Sequence, residues 1–150
     1  MTTAPGDDLD DHRAVIVVDA SVLANALADD GEDGALARAA LRSSGGLTAP
    51  DLVDVETASV LRKRWLRGDL DDDRIETAIG HLERLDLERV PTLRLLRRAL
   101  ALRRNVTAYD GCYVALAEVL GCRLVTGDAR LAAAAAGVCA VQALSTTTTR

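Results

Sequence analysis

Residues 13–19 read Arg-Ala-Val-Ile-Val-Val-Asp, a β-branched run that no polar residue interrupts before the closing carboxylate. Continuous hydrophobicity, as opposed to alternation, suits a central parallel strand covered on both faces. Helical spacing follows over residues 22–28 and again over 34–42, separated by the Asp-Asp-Gly break at 29–31. A short strand over 47–49 is expected to end at Pro50. Residues 51–67 carry a strong amphipathic pattern, with Leu52, Val55 and Arg62 along one face and Val60, Leu61 and Trp65 adding bulk beside it. Gly68 breaks this helix, and one of Asp71, Asp72 and Asp73 caps the next, which runs to about Arg84. Residues 87–90 form a weaker strand. Pro91 or Thr92 then opens a helix through Arg104, with Leu93, Leu96, Leu100 and Ala101 inward.

The last third of the chain is the most informative. Asp110 starts a segment whose apolar positions, Tyr113, Leu116, Ala117 and Leu120, recur at helical spacing, and Gly121 is well placed to stop it. Residues 122–125 read as a short buried strand leading into Thr126-Gly127-Asp128. A strand running back along that helix brings Asp110 and Asp128 to one edge. A short helix over 131–136 and a fifth strand over 138–141 complete the pattern. Alternating strands and helices imply a parallel sheet with right-handed crossovers, an α/β fold. The expected organisation is an acidic leader at 1–13, one domain at 14–142 and a tail at 143–150.

Composition narrows the possibilities. The chain has 150 residues, enough for one domain with its own core, and is 49% hydrophobic but only 2% aromatic. That balance favours a helix-rich α/β domain and argues against recognition of bases by an aromatic platform. No apolar run approaches the ~20 residues needed to cross a bilayer, and the polar N-terminus does not resemble a signal peptide; a cytoplasmic location follows as the expectation. The cysteines at 112, 122 and 139 lack any CxxC spacing and read as free thiols. The net charge of −5 opposes non-specific duplex binding by the domain as a whole.

Four acids stand apart from the rest. Asp19 ends the first strand, Asp128 follows the fourth, Asp110 begins the helix leading into it, and Glu56 lies near the start of an apolar helix leaving the same sheet edge. Open α/β sheets place their sites at that edge. Carboxylates crowded there repel one another, and a divalent cation relieves the repulsion. Oxygen ligands without nearby Cys or His point to Mg²⁺ or Mn²⁺, ions that serve phosphodiester hydrolysis. Ser21 and Thr126 carry hydroxyls able to hold a carboxylate or water beside them. Two other readings stay open: an aspartate-based phosphotransfer enzyme, and a non-catalytic interaction module.

The same residues carry a family likeness. Val-Val-Asp19-Ala-Ser21-Val-Leu, Pro50-Asp-Leu-Val-Asp-Val-Glu56-Thr-Ala, Thr107-Ala-Tyr-Asp110-Gly-Cys-Tyr and Leu124-Val-Thr126-Gly-Asp128-Ala-Arg-Leu closely resemble the four signature blocks of PIN domains, nearest to the VapC-like toxins of type II toxin–antitoxin pairs. The resemblance implies a three-layer α/β/α fold whose five-stranded parallel sheet has the order 3-2-1-4-5. It implies that Asp19, Glu56, Asp110 and Asp128 hold Mg²⁺ or Mn²⁺, with Ser21 and Thr126 as supporting residues. It further implies endoribonuclease activity on structured RNA such as tRNA or rRNA, leaving 3′-hydroxyl and 5′-phosphate ends. The implied partners are a second copy in a homodimer and a cognate antitoxin, in a heterotetramer or larger assembly. An acidic protein handling RNA needs local positive charge. Two basic groups could bind phosphate oxygens, Arg62, Lys63, Arg64 and Arg67 at the end of the Glu56 helix and Arg94, Arg97, Arg98, Arg103 and Arg104 just ahead of the Asp110 block, and the second is the better candidate as a group.

Overall fold

The three residues Ile16, Val17 and Val18 have no accessible surface, as a strand with neighbours on both sides and helices on both faces requires. The computed structural model describes residues 14–145; expectations for the leader at 1–13 and for most of the tail lie outside the described residues. Strand β1 (Val15–Val18) leads into α1 (Ala20–Ala28) and α2 (Glu32–Ser43). Strand β2 (Gly46–Pro50) leads into α3 (Val53–Leu66) and α4 (Asp72–Arg84). After β3 (Glu88–Val90) come a 3-10 turn (Thr92–Leu95), α5 (Leu96–Ala101) and α6 (Ala108–Leu120). Strand β4 (Leu124–Thr126), α7 (Ala129–Ala135) and β5 (Val141–Ala143) finish the domain. The strands form one parallel sheet in the order β3-β2-β1-β4-β5, the expected three-layer α/β/α arrangement.

Helix α6 is the hub. Residues 111–117 are all buried, and the helix packs on β1, β2, β4 and α5. Gly121 stops it in the left-handed conformation at φ 62°, a backbone geometry that glycine adopts without steric penalty. Asp71 caps α4 by accepting the Arg74 N–H at 2.7 Å. Strand β2 ends at Pro50, which is itself the strand's last residue, opposite Val90, where its missing N–H withdraws nothing from the ladder interior.

Several boundaries and faces differ from expectation. The inward face of α3 is Val53, Thr57 and Leu61, while Val55 is 72% exposed. The helix expected over 92–104 is a 3-10 turn followed by a short α5. It buries Leu95 and Ala99, and leaves Leu93 80% exposed and Leu100 exposed as well. Helix α6 begins at Ala108, with Thr107 as its cap and Asp110 in its first turn. Strand β4 begins at Leu124, not at 122, and α7 begins directly after its cap Asp128. The fifth strand lies at 141–143 because the N–H groups of Val138 and Cys139 still bond the Ala135 carbonyl, at 2.9 and 3.1 Å, closing a turn after α7.

One inward position of α3 is polar. The Thr57 hydroxyl is buried with no hydrogen-bond partner among the described residues. An unpaired buried hydroxyl costs about 1–3 kcal/mol, and valine has nearly the same shape. Thr57→Val is therefore expected to raise the melting temperature by roughly 2–4 °C. Calorimetry checks this, and a fall in melting temperature would mean that the hydroxyl has a partner.

Candidate active site

The C-terminal ends of β1 and β4 lie side by side, Val18 opposite Val125, and each strand delivers an aspartate that caps the following helix. Asp19 accepts the Val22 N–H at 3.1 Å. Asp128 accepts the N–H groups of Arg130 and Leu131 at 2.9 and 3.3 Å. Capping fixes both side chains at the sheet edge, so the structural role and the siting of the acid coincide. Asp110 is different. Its backbone N–H donates to Thr107 Oγ1 at 3.1 Å, so Thr107 does the capping and the Asp110 carboxylate does not. Glu56 reaches the same place from the first turn of α3. The four acids and Ser21 line one cavity of about 480 Å³, together with Tyr109, Tyr113 and Lys63.

Hydroxyl groups organise the acids. Ser21 Oγ donates to Asp19 Oδ1 at 2.6 Å and accepts the Gly127 N–H at 3.0 Å. Thr126 Oγ1 donates to Asp19 Oδ2 and accepts the Asp128 N–H at 3.0 Å. Asp19 is thereby locked in orientation, and Thr126 ties it to the backbone of the second acid. With both oxygens engaged and only 5% of its surface exposed, Asp19 is poorly disposed to attack a phosphorus atom, which weighs against the phosphotransfer reading. Tyr113 on α6 donates its hydroxyl to Glu56 Oε1 at 2.6 Å. That tyrosine reads in sequence as core; its partner lies 57 residues earlier, a pairing that no local spacing reveals.

The acids also sense one another. Burial pushes the Asp19 carboxyl above its ordinary range, against its hydrogen bonds and with a further push from Asp110. Burial raises Glu56, and Asp110 and Asp19 add to the rise. Burial raises Asp110, and Asp128 adds to it. Among the described residues, ion pairs join Arg67 to Asp69, Arg74 to Asp30, Arg89 to Asp54 and Arg98 to Glu118, but none reaches these four acids. Such a set of hard oxygens short of positive charge suits a divalent cation. Among the described residues no three acidic, imidazole or thiol side chains are already gathered to hold one.

A pH dependence follows. With folded-state values raised above the ordinary carboxylate range, the folded chain binds more protons than the unfolded chain between that range and the raised values. Stability of the metal-free protein then falls as pH rises through this window and recovers on acidification. Glu56→Gln keeps an acceptor for Tyr113 and removes one charge. In EDTA at neutral pH it is expected to melt at or above the wild-type temperature, and the difference should shrink as pH falls toward the carboxylate range. A variant melting lower at every pH would contradict the electrostatic account.

The arginines divide. Arg94, Arg97, Arg98, Arg103 and Arg104 are all exposed, and none of them lines the carboxylate cavity. Arg98 is held by Glu118 through two bonds of 2.7 and 2.8 Å. The basic residue that does line the cavity is Lys63, on the same face of α3 as Glu56. Asp54, the neighbour that could be mistaken for Glu56, pairs with Arg89 at 2.8 Å. A larger cavity of about 690 Å³ lies where α1, α3 and α4 meet. Two of its arginines are paired with acids, Arg74 with Asp30 at 2.9 Å and Arg67 with Asp69 at 3.2 Å, and Arg64 donates to the Asn25 side-chain oxygen at 2.5 Å, the contacts of a structural site.

Two strand-end aspartates and two helix-borne acids at one edge of a 3-2-1-4-5 sheet define the class. Residues 16–137 match the model of the PIN domain, and the chain belongs to that family. Within it, the resemblance is to the VapC ribonucleases. Ribonuclease VapC1 of Mycobacterium tuberculosis is 39% identical over 127 residues, 84% of this chain and 95% of that protein. Ribonuclease VapC9 of the same organism is 44% identical over 117 residues, 78% of this chain and 88% of its own length. The crystal structure of PAE2754 from Pyrobaculum aerophilum superposes with a TM-score of 0.58 at 22% identity, covering 85% of this chain and 89% of that one. That likeness speaks for the fold. No helix among the described residues is long and apolar enough to cross a membrane.

Proposed function

We propose that this chain is a metal-dependent endoribonuclease toxin that hydrolyses phosphodiester bonds in structured RNA, such as tRNA or rRNA, and leaves 3′-hydroxyl and 5′-phosphate ends. The observation that carries the reading is the convergence of Asp19, Glu56, Asp110 and Asp128 on one cavity, with no cationic partner in an ion pair among the described residues. The VapC ribonucleases among its relatives support the same activity. Those four acids would hold Mg²⁺ or Mn²⁺, which when bound supplies a Lewis acid and an activated water for in-line attack.

The chain's own residues do the remaining work. Ser21 and Thr126 keep the Asp19 oxygens aimed, and Tyr113 keeps Glu56 from swinging away. Lys63 stands on the α3 wall, where a phosphate oxygen entering the cavity meets a positive charge. Tyr109, 65% exposed at the rim beside Asp110, is a single ring and no platform, with room for one unpaired base against its face. Arg94, Arg97, Arg103 and Arg104 extend the positive surface outside the cavity. A cognate antitoxin inhibits the enzyme by bringing a basic side chain to the same acids, and the working unit is a homodimer, in a heterotetramer or larger assembly with the antitoxin.

The test is to map the 5′ ends of cellular RNA after a brief induction of the protein. New 5′-phosphate ends at defined positions are expected, and an unchanged set of ends would favour a non-catalytic module. Ion binding is measurable without turnover. A ligand at a hundred times its dissociation constant stabilises a fold by about 2.7 kcal/mol. Mg²⁺ or Mn²⁺ at that excess is therefore expected to raise the melting temperature by roughly 5–10 °C. No shift with either ion would argue against the metal assignment.

A further inference from the structure

At the end of β4 remote from the carboxylates, two thiols line one small cavity. Leu124 lies opposite Val141 in the parallel β4–β5 pair, and the Leu124 N–H donates to the Ala140 carbonyl at 2.9 Å just ahead of that pair. Cys122 and Cys139 each stand two residues ahead of these paired positions, Cys122 between α6 and β4 and Cys139 in the turn after α7. Both cysteines line one small surface cavity of about 190 Å³, beside Glu118 at the end of α6. Both are partly exposed, whereas Cys112 is buried and lies outside this cavity. The Cys139 thiol also senses Cys122 as a neighbouring charge.

A disulfide spans Cα atoms roughly 4.4–6.8 Å apart, and both thiols line one cavity of about 190 Å³. We propose that Cys122 and Cys139 are a dithiol site that low-molecular-weight disulfides oxidise to an intramolecular disulfide. One cysteine thiolate attacks a sulfur of the oxidant, forming a mixed disulfide and releasing one small thiolate. The second cysteine thiolate then attacks the first cysteine's sulfur and expels the other small thiolate. The protein loses two electrons and two protons, and the oxidant is reduced to two thiols. Burial pushes both thiols up from their ordinary value, so exchange depends on their proximity and not on an activated thiolate. The bond encloses Thr126, Asp128 and α7 in a loop.

The experiment treats the reduced, full-length protein with oxidised glutathione and reads intact mass under non-reducing conditions. The expected product has lost two hydrogens, carries no glutathione, and reverts with dithiothreitol. Digestion with trypsin and a glutamate-specific protease separates Cys112 from Cys122 at Glu118, and the linked peptides should contain Cys122 and Cys139. Cys112→Ser should behave as wild type, while Cys122→Ser and Cys139→Ser should take up glutathione and form no internal bond. Glutathione on both wild-type thiols, a link through Cys112, a bond between two chains, or an unchanged mass would each overturn the proposal. The wild-type peptide map decides the matter even if a serine variant does not fold.

Discussion

Asp110→Asn is expected to lower RNA cleavage by a factor on the order of 10³, a loss comparable to deleting one electrostatic stabiliser from a reaction centre. The fold should survive. The Thr107 cap bonds the backbone N–H of residue 110, so changing the side chain leaves the start of α6 intact. Asparagine has the shape of aspartate without the charge that burial and Asp128 make unfavourable in the metal-free state. In EDTA the variant should melt no lower than the wild type, and it should bind Mn²⁺ more weakly. Retention of cleavage within tenfold of wild type, in a folded variant, would remove Asp110 from the proposed site.

The second large effect concerns stability and runs against helix propensity. Gly34 lies inside α2, where alanine is ordinarily better by roughly 1 kcal/mol. Here a Cβ at position 34 would stand 1.8 Å from the Asp29 carbonyl oxygen and 2.7 Å from its carbon. Those are backbone atoms of the α1–α2 junction and cannot rotate aside. The same junction receives the Arg38 guanidinium on the Asp29 carbonyl at 2.8 Å, so moving it also disturbs that bond. Overpacking of this kind costs about 1–3 kcal/mol, and relocating backbone puts Gly34→Ala at the upper end. The melting temperature should fall by roughly 5–10 °C. An unchanged or higher value would mean that the junction yields freely. Because Gly34 does not line the carboxylate cavity, divalent ions should still bind the folded fraction.

What the sequence discloses and what it hides have physical causes. Strand β1 is legible because a β-branched run with no polar break has few other uses. The four acids are legible because strand-end and helix-start positions mark one sheet edge. The inward face of α3 is not, since it includes a threonine while Val55 faces outward; packing, not composition, chooses the face. The fifth strand was expected three residues early because residues 138–141 are as apolar as a strand, and only the turn onto the Ala135 carbonyl takes the first of them out. Tyr113 meets Glu56 through a contact between elements distant in sequence, and of the two basic groups only Lys63 lines the cavity, a choice that packing makes.

The Thr126–Asp19 hydrogen bond joins residues 107 positions apart. During synthesis from the N-terminus, β1 can pair with β2 once residue 50 has emerged, but its other neighbour is β4 at 124–126. Contacts of such separation close late. Until then Asp19 lacks one of its two hydroxyl partners, and Asp128 has not yet been added to the chain. The cleft is thus among the last parts of the molecule to exist, and a nascent chain still short of β4 is without the four-acid centre while it is being made.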